Sequence, residues 1–380
     1  MKITGAWIDN PVTQAVCAAL TGAGVQALFV GGCVRNALLG VPVSDIDIAT
    51  DARPEIVSDI AKNAGFKVVP TGIDHGTVTV IADGLPHEIT TFRTDVKTDG
   101  RRAVVAFSTR IEEDAARRDF TMNALYAAPD GTVIDPLGGL PDLLARRLRF
   151  VGLAEQRIQE DYLRILRFFR FHAIYGDPDQ GIDAEGLAAC AAFSAGIETL
   201  SAERIGAEMR KLLAAADPAP SLAAMAQSGV LAQVLPGGDP RAVAPLVHLE
   251  AGRPPRWQRR LAALGGPDIT DRWRLSRQES RNISHIRDAL EHLQSPAVLG
   301  YRLGPELAVD VILLRAALFE SPLPPHWAAE VARGAAAECP VRSADLMPGL
   351  KGAALGARLK ELEGRWLASD LRLGRADLLG

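Results

Sequence analysis

Aromatic side chains are scarce, at 5% of 380 residues, and cysteines number only four. With so few rings and abundant alanine, helix should dominate. Cys17, Cys33, Cys190 and Cys339 are widely scattered, which argues against a zinc site or a disulfide framework and predicts reduced thiols. No run is long and apolar enough to cross a bilayer, and the opening MKITGAWIDNP is polar and carries Asp9, unlike a secretory leader. A cytoplasmic protein with no membrane partner is expected. An excess of positive charge is missing too: 42 Lys+Arg stand against 46 Asp+Glu, a formal net charge of -4. Such a chain does not coat nucleic acid through an overall field, so any RNA contact must be local. Repeats and low-complexity tails are also absent, which excludes a solenoid.

The length exceeds one ordinary hydrophobic core, so two to four domains are expected. In the first half, Asn10-Pro11 reads as a helix start, because the amide side chain can cap and proline has no N–H to lose there. Val25 to Val30 reads as a short strand entering Gly31-Gly32, Val43 to Thr50 as a second strand, and Pro54 to Gly65 as a helix. Thr77 to Ala82 and His87 to Arg93 read as a hairpin turning at Asp83-Gly84. The polar stretch Thr94 to Arg102 reads as a mobile loop. From Glu155 onward the pattern is helical, broken by proline and glycine clusters. One segment is locally basic: nine arginines between Arg253 and Arg287 face Asp268, Asp271 and Glu279. It is either a solvated helix face or an RNA-facing surface.

Chemistry concentrates before residue 171. Asp45 and Asp47 in SDIDIAT stand two apart in a predicted strand, so alternation points both carboxylates to one face and Ile46 and Ile48 to the other. Two adjacent anions are costly without a cation between them. Magnesium suits an all-oxygen site of one or two carboxylates completed by water and phosphates, so phosphoryl transfer is the natural use. Upstream, Gly31-Gly32 lets the backbone approach an anion at a helix N-terminus, and Arg35 can fork onto phosphate oxygens. The spacing fits neither a dinucleotide fingerprint nor a Walker-type loop. Glu88, mid-strand in HEITTFR, is a candidate third carboxylate, since a buried charge there would need a partner; an exposed sheet face would account for it equally.

The strings LFVGGCVRNALLG, SDIDIAT, EITTFRTD, DGRR, ARRDFTMNALYA, IDPLGG, EDYLRILRFFRF and SAERIGAEMRKLL resemble, in that order, the signature blocks of the class II tRNA nucleotidyltransferase and bacterial poly(A) polymerase family. The resemblance covers about residues 28 to 213. It implies an α+β fold: an N-terminal nucleotidyltransferase α/β head with a mixed β-sheet over residues 1–148, then an all-α neck (149–215), body (216–300) and tail (301–380). It implies addition of C, C and A to the 3′ end of tRNA from CTP and ATP with Mg2+ and without a template, and no DNA partner. It also implies metal binding and catalysis by Asp45 and Asp47, and nucleotide contacts from Gly31, Gly32, Arg35, Arg118, Asp161, Arg164, Arg167 and Arg170.

Asp161 and Arg164, at i and i+3, are expected to emerge side by side from one helix. Cytosine and adenine both offer an amino donor beside a ring-nitrogen acceptor, which suits Asp161 as acceptor and Arg164 as donor. Uracil and guanine present the reverse. A plain Asp161–Arg164 ion pair is the simpler alternative, as is an Arg117–Asp119 pair across a turn with Phe120 entering the core. Arg167 and Arg170 wind around the helix, so phosphates or a neighbouring strand are their more plausible partners. Leu163, Leu166, Phe168 and Phe169 are expected in the core. Two positions depart from the family pattern: Asn36 stands where aspartate is usual, and Ala103 follows DGRR where proline is common. Rival readings are poly(A) polymerase, an enzyme adding only CC or only A, and a catalytically inactive RNA-binding protein.

Overall fold

Asn10 caps the first helix as expected, its side chain accepting from the amide of Val12 at 2.9 Å with Pro11 in the first turn. The computed structural model describes residues 1–73, 76–99, 102–347 and 349–380. The chain forms two units, Met1–Glu208 with Gln227–Gln233, and Met209–Ala226 with Val234–Gly380. The first unit opens with α1 (Pro11–Gly22), β1 (Leu28–Val30), α2 (Gly32–Leu39), β2 (Asp47–Thr50), α3 (Pro54–Asn63), β3 (Lys67–Gly72), β4 (Thr77–Ala82) and β5 (Leu85–Thr91). It continues with β6 (Arg93–Asp99), β7 (Arg102–Phe107), α4 (Ile111–Ala116), β8 (Tyr126–Ala127), β9 (Val133–Ile134), α5 (Leu140–Leu144), α6 (Ala154–Glu160), α7 (Leu163–Tyr175) and α8 (Ala184–Ala192); α9 spans Ala202–Leu213. The architecture is α+β, as expected.

Seven strands make one mixed sheet in the order β3-β4-β5-β2-β1-β8-β9, with β2 and β5 parallel and the other neighbours antiparallel. The β4–β5 hairpin turns at Asp83-Gly84, both at positive φ (49° and 80°), as a two-residue turn matched to strand twist requires. Two strands start later than their composition suggested. Ahead of β1, the Val25 amide bonds back to the Leu20 carbonyl and the Gln26 amide to Asp51, so pairing begins only at Leu28. For β2, pairing begins at Asp47 opposite Glu88 of β5, and β1 joins only from Ile48. The predicted mobile loop at Thr94 to Arg102 is a β-hairpin instead, β6 pairing with β7 from Arg93↔Phe107 to Asp99↔Arg102; Gly100 and Arg101 of that stretch lie outside the described residues. A polar composition with a glycine is thus carried here by a two-stranded ribbon separate from the main sheet.

The scarce aromatics gather where the sheet meets α7. Phe120 packs against Phe150 and Phe171 at 5.0 and 5.1 Å between centroids, and Phe150 stacks on Phe168 at 5.3 Å. Phe120, Phe168 and Phe169 are fully buried and Leu166 nearly so, whereas Leu163 is only half-buried. Each such ring pair adds about 0.5–1.5 kcal/mol beyond its area, so this cluster anchors α7 to the sheet.

In the second unit, the basic segment resolves into two kinds of arginine. Arg259 and Arg260 are 1% exposed and share Glu250, while Arg259 and Arg256 both donate to the fully buried Asp310. Arg287 donates to the Gly265 carbonyl. These four serve the interior; Arg272, Arg277 and Arg281 are exposed. Removing one member of a fully paired buried cluster strands the others, at about 3–5 kcal/mol. Asp310→Ala should therefore lower the unfolding free energy by about that much, measured by urea denaturation, whereas Arg277→Ala should change it by less than about 0.5 kcal/mol.

Candidate active site

Ile46 and Ile48 are buried while Asp45 is exposed and Asp47 half-buried, so alternation sends both carboxylates away from the apolar layer. Asp45 precedes the strand; Asp47 opens it. Across the sheet, Thr79, Glu88 and Asp47 occupy one row on β4, β5 and β2. Together with Ser44, Asp45 and Pro86 they line a cavity of about 500 Å³. Glu88 is exposed, so the burial argument for it does not hold; its place beside Asp47 is set by strand register.

Burial, then the charge of Glu88 and that of Asp45, push the Asp47 carboxyl up to about 6, against the opposing pull of Arg118. Crowded anions with oxygen donors fit a hard divalent cation, which would relieve the repulsion. Among the described residues no group of three or more His, Cys, Asp or Glu side chains is arranged to hold a metal, so Asp45 and Asp47 would supply a partial shell and leave the rest to water and phosphate. Without metal, the stability tied to Asp47 is present below its ordinary value of 3.8 and lost as pH rises through about 6. Asp47→Asn should stabilise the metal-free protein by up to about 3 kcal/mol near pH 8 and leave it unchanged near pH 4; a difference independent of pH would refute this account.

The glycine turn lies at the end of β1. Gly31 has φ +68°, and a Cβ there would stand 3.2 Å from Nη1 of Arg118. A side chain at this position is thus both strained and obstructed. Arg118 donates to Asp114 (2.9 Å) and to the Tyr126 hydroxyl (3.2 Å). Burial disfavours its charge, but Tyr126 and Asp114 outweigh that and hold it protonated. Asp114, 1% exposed, also accepts from Arg117 (2.8 Å) and from the Tyr126 hydroxyl (2.7 Å). Burial pushes its carboxyl up; the two arginines and the hydroxyl pull it down to about 2. The alternative Arg117–Asp119 pair is thus not formed, although Phe120 does enter the core.

Arg35, expected as a phosphate fork, is 7% exposed and committed internally. It donates to Asn123 (2.5 Å), Tyr175 (2.7 Å) and Asn36 (2.9 Å), and lies 4.1 Å from the Tyr175 ring centroid. It bolts α2 to α7. Asn36 therefore supplies the arginine with an uncharged acceptor where the family usually has a charge. Asn123 passes the link to Asp119, which accepts from Arg167 at 2.7 Å. Arg170 is 8% exposed and donates to the buried Glu208 at 2.5 Å. Among the arginines expected to touch nucleotide, Arg118 and Arg167 keep partial exposure beside the turn and α7, whereas Arg35 and Arg170 are buttresses.

Asp161 and Arg164 do not share one helix. The chain breaks at Asp161 (φ -156°) after α6, and α7 starts at Leu163. Asp161 stands just ahead of α7 and Arg164 in its first turn, the Arg164 amide donating to the Asp161 carbonyl (3.0 Å) and the Leu163 amide to the Asp161 carboxylate (3.1 Å). Their side chains pair elsewhere. Asp161 accepts from Arg204 at 2.6 Å; Arg164 donates to Glu160 (2.5 Å) and to the carbonyls of Arg157 (2.7 Å) and Arg117 (3.2 Å). Asp114, Asn123, Tyr175, Arg204 and Glu208 were not singled out from sequence, because each acts on a partner distant in the chain or looks like an ordinary helix-end charge; Asp119 was, but with Arg117 in place of Arg167 as its partner.

Residues 27–149 match the family described as the poly A polymerase head domain, and residues 181–241 the probable RNA and SrmB-binding site of polymerase A. The human mitochondrial CCA tRNA nucleotidyltransferase 1 is 46% identical over 184 residues, 48% of this chain and 42% of that protein. The CCA-adding enzyme of Streptococcus pyogenes is 49% identical over 195 residues, 51% of this chain and 47% of its own. These alignments span less than half the length of the curated relatives. The crystal structure of the Bacillus stearothermophilus CCA-adding enzyme in complex with CTP is 31% identical, with a TM-score of 0.77 over 94% of this chain and 93% of that one. Sequence blocks, sheet topology and these likenesses agree: the chain belongs to the tRNA nucleotidyltransferase and poly(A) polymerase family.

Proposed function

We propose that the protein adds C, C and A to the 3′ end of tRNA from CTP and ATP, choosing each nucleotide with protein side chains in place of a template. The carrying observation is the placement of Asp161 and Arg164 in one turn, joined to the glycine turn beside Asp47: Arg164 binds the Arg117 carbonyl, and Arg117 and Arg118 share Asp114. The likeness to an enzyme solved with CTP supports the same reading.

In this proposal residues 1–148 are the catalytic head, 149–215 the selecting neck, and 216–300 and 301–380 a helical body and tail that hold the RNA. Gly31 and Gly32 admit the triphosphate to the backbone, and Arg118 offers it a charge already fixed in place. Asp45 and Asp47 would hold the metal, magnesium in this reading, which when bound makes the terminal hydroxyl of the RNA more acidic and neutralises charge on the triphosphate. Arg164 has five N–H donors, of which three are engaged among the described residues, leaving two for a base. Asp161 uses one lone pair on each oxygen and keeps others for the amino group of cytosine or adenine. Arg35, Arg167 and Arg170 hold α7 in register with the turn. Four unpaired cysteines, three of them buried, suit a reducing compartment such as the cytoplasm.

The test is one product-length assay: tRNA ending before CCA, with CTP, ATP and magnesium. Growth by three nucleotides is expected. Growth by two or one would make it a partial enzyme, long adenylate tails a poly(A) polymerase, and no growth with retained RNA binding an inactive relative.

A further inference from the structure

Three of the five N–H donors of Arg118 have partners among the described residues, one on each nitrogen, and the second N–H of Nη1 is on the side of the glycine turn. Nη2 is held by Asp114 at 2.9 Å and Nε by the Tyr126 hydroxyl at 3.2 Å, while Nη1 points past the Asn123 carbonyl, 3.5 Å away, to the space a Gly31 side chain would fill. The same Tyr126 hydroxyl donates to Asp114 at 2.7 Å, closing a three-membered ring of contacts. That ring sits against the strand–turn junction, with Tyr126 paired to Val30, the residue before the turn. A guanidinium so held has little rotameric freedom left to lose when it meets an anion, and preorganised charge binds better than mobile charge.

Asp114 itself is 1% exposed and cannot reach a ligand. Its only access to chemistry is through the groups it holds. A buried carboxylate shared by two arginines could serve folding alone, but folding does not require that one of those arginines abut the one position in the turn where a side chain is excluded. We propose that Asp114 is a positioning residue for triphosphate binding, locking Arg118 against the Gly31 turn so that its free edge meets the phosphates of either nucleotide. This rests on the function proposed above, and concerns the part of the nucleotide that CTP and ATP share.

Asp114→Asn keeps the shape but neutralises the group that holds both cations. It should weaken magnesium-dependent binding of CTP and of ATP by the same factor, about tenfold, the worth of one charge-assisted hydrogen bond, and raise both KM values more than it lowers kcat. Tyr126→Phe, which keeps the ring in the core and removes the bridging hydroxyl, should act in the same direction and less. The decisive measurement is a double-mutant cycle by calorimetry with each nucleotide: if Asp114 acts through Arg118, its substitution should cost almost nothing further in an Arg118→Ala background. Additive losses in that background, a loss confined to one nucleotide, or a lowered Tm with unchanged affinity in both the Asp114 and Tyr126 variants would overturn the inference. A wild-type protein that binds neither CTP nor ATP would instead remove the proposed function, and this inference with it.

Discussion

Asp47→Ala should abolish nucleotide addition while leaving the fold intact. Asp47 opens β2 between the crowd of Glu88 and Asp45 and the countercharge of Arg118. The sheet gains nothing from it, since burial raises the free energy of its charged form. Its cost to the metal-free fold is therefore the sign of a group kept for a ligand. In the proposed reaction, losing one of the two carboxylates that would hold a divalent cation would forfeit several kcal/mol of transition-state stabilisation, about 10³-fold or more in rate. Asp45→Ala should fall in the same direction; being exposed, it should leave stability unchanged. Rates from single-turnover extension of tRNA, set beside thermal melts of the same preparations, check both. Wild-type turnover in either variant would refute the metal assignment.

What could be read from the sequence was what is local. The carboxylate pair follows from alternation over four residues, the capping role of Asn10 from its place before Pro11, and the Asp83-Gly84 turn from two residues that tolerate positive φ. Arg35 shows the limit. A guanidinium after a glycine turn reads as a phosphate ligand, and only the fold reveals that Asn123 and Tyr175, 88 and 140 residues away, each take one of its donors. The arginines at 256, 259 and 260 likewise counted as surface charge because Glu250 and Asp310, which neutralise them, fall outside the basic segment. Asp114 was hidden for the opposite reason. Acidic residues in a first turn usually serve the helix dipole, and nothing in Glu112-Glu113-Asp114 marks the third as the one that turns inward.

Replacing Asp161 or Arg164 with alanine should relax nucleotide choice, because in the function proposed above each supplies half of a donor–acceptor pattern that cytosine and adenine fit and uracil and guanine oppose. The break at Asp161 matters to how this works. Were both residues on one continuous helix they would satisfy each other as an i,i+3 pair; instead Asp161 is turned out of the helix and steadied by Arg204, and Arg164 by Glu160 and two carbonyls. Neither quenches the other, so both retain capacity for a base. An excluded base leaves buried polar groups unpaired at about 1–3 kcal/mol each, so removing one partner should narrow the preference for CTP and ATP over UTP and GTP by about 5- to 150-fold. Competition assays with all four nucleotides measure this directly. The two variants should also differ: without Arg164 the Arg117 carbonyl loses a donor and overall turnover should drop, whereas Asp161→Asn, which offers an amide in place of one carboxylate oxygen, should chiefly admit UTP. Selectivity unchanged in both would leave a phosphate-handling site with no means of reading a base.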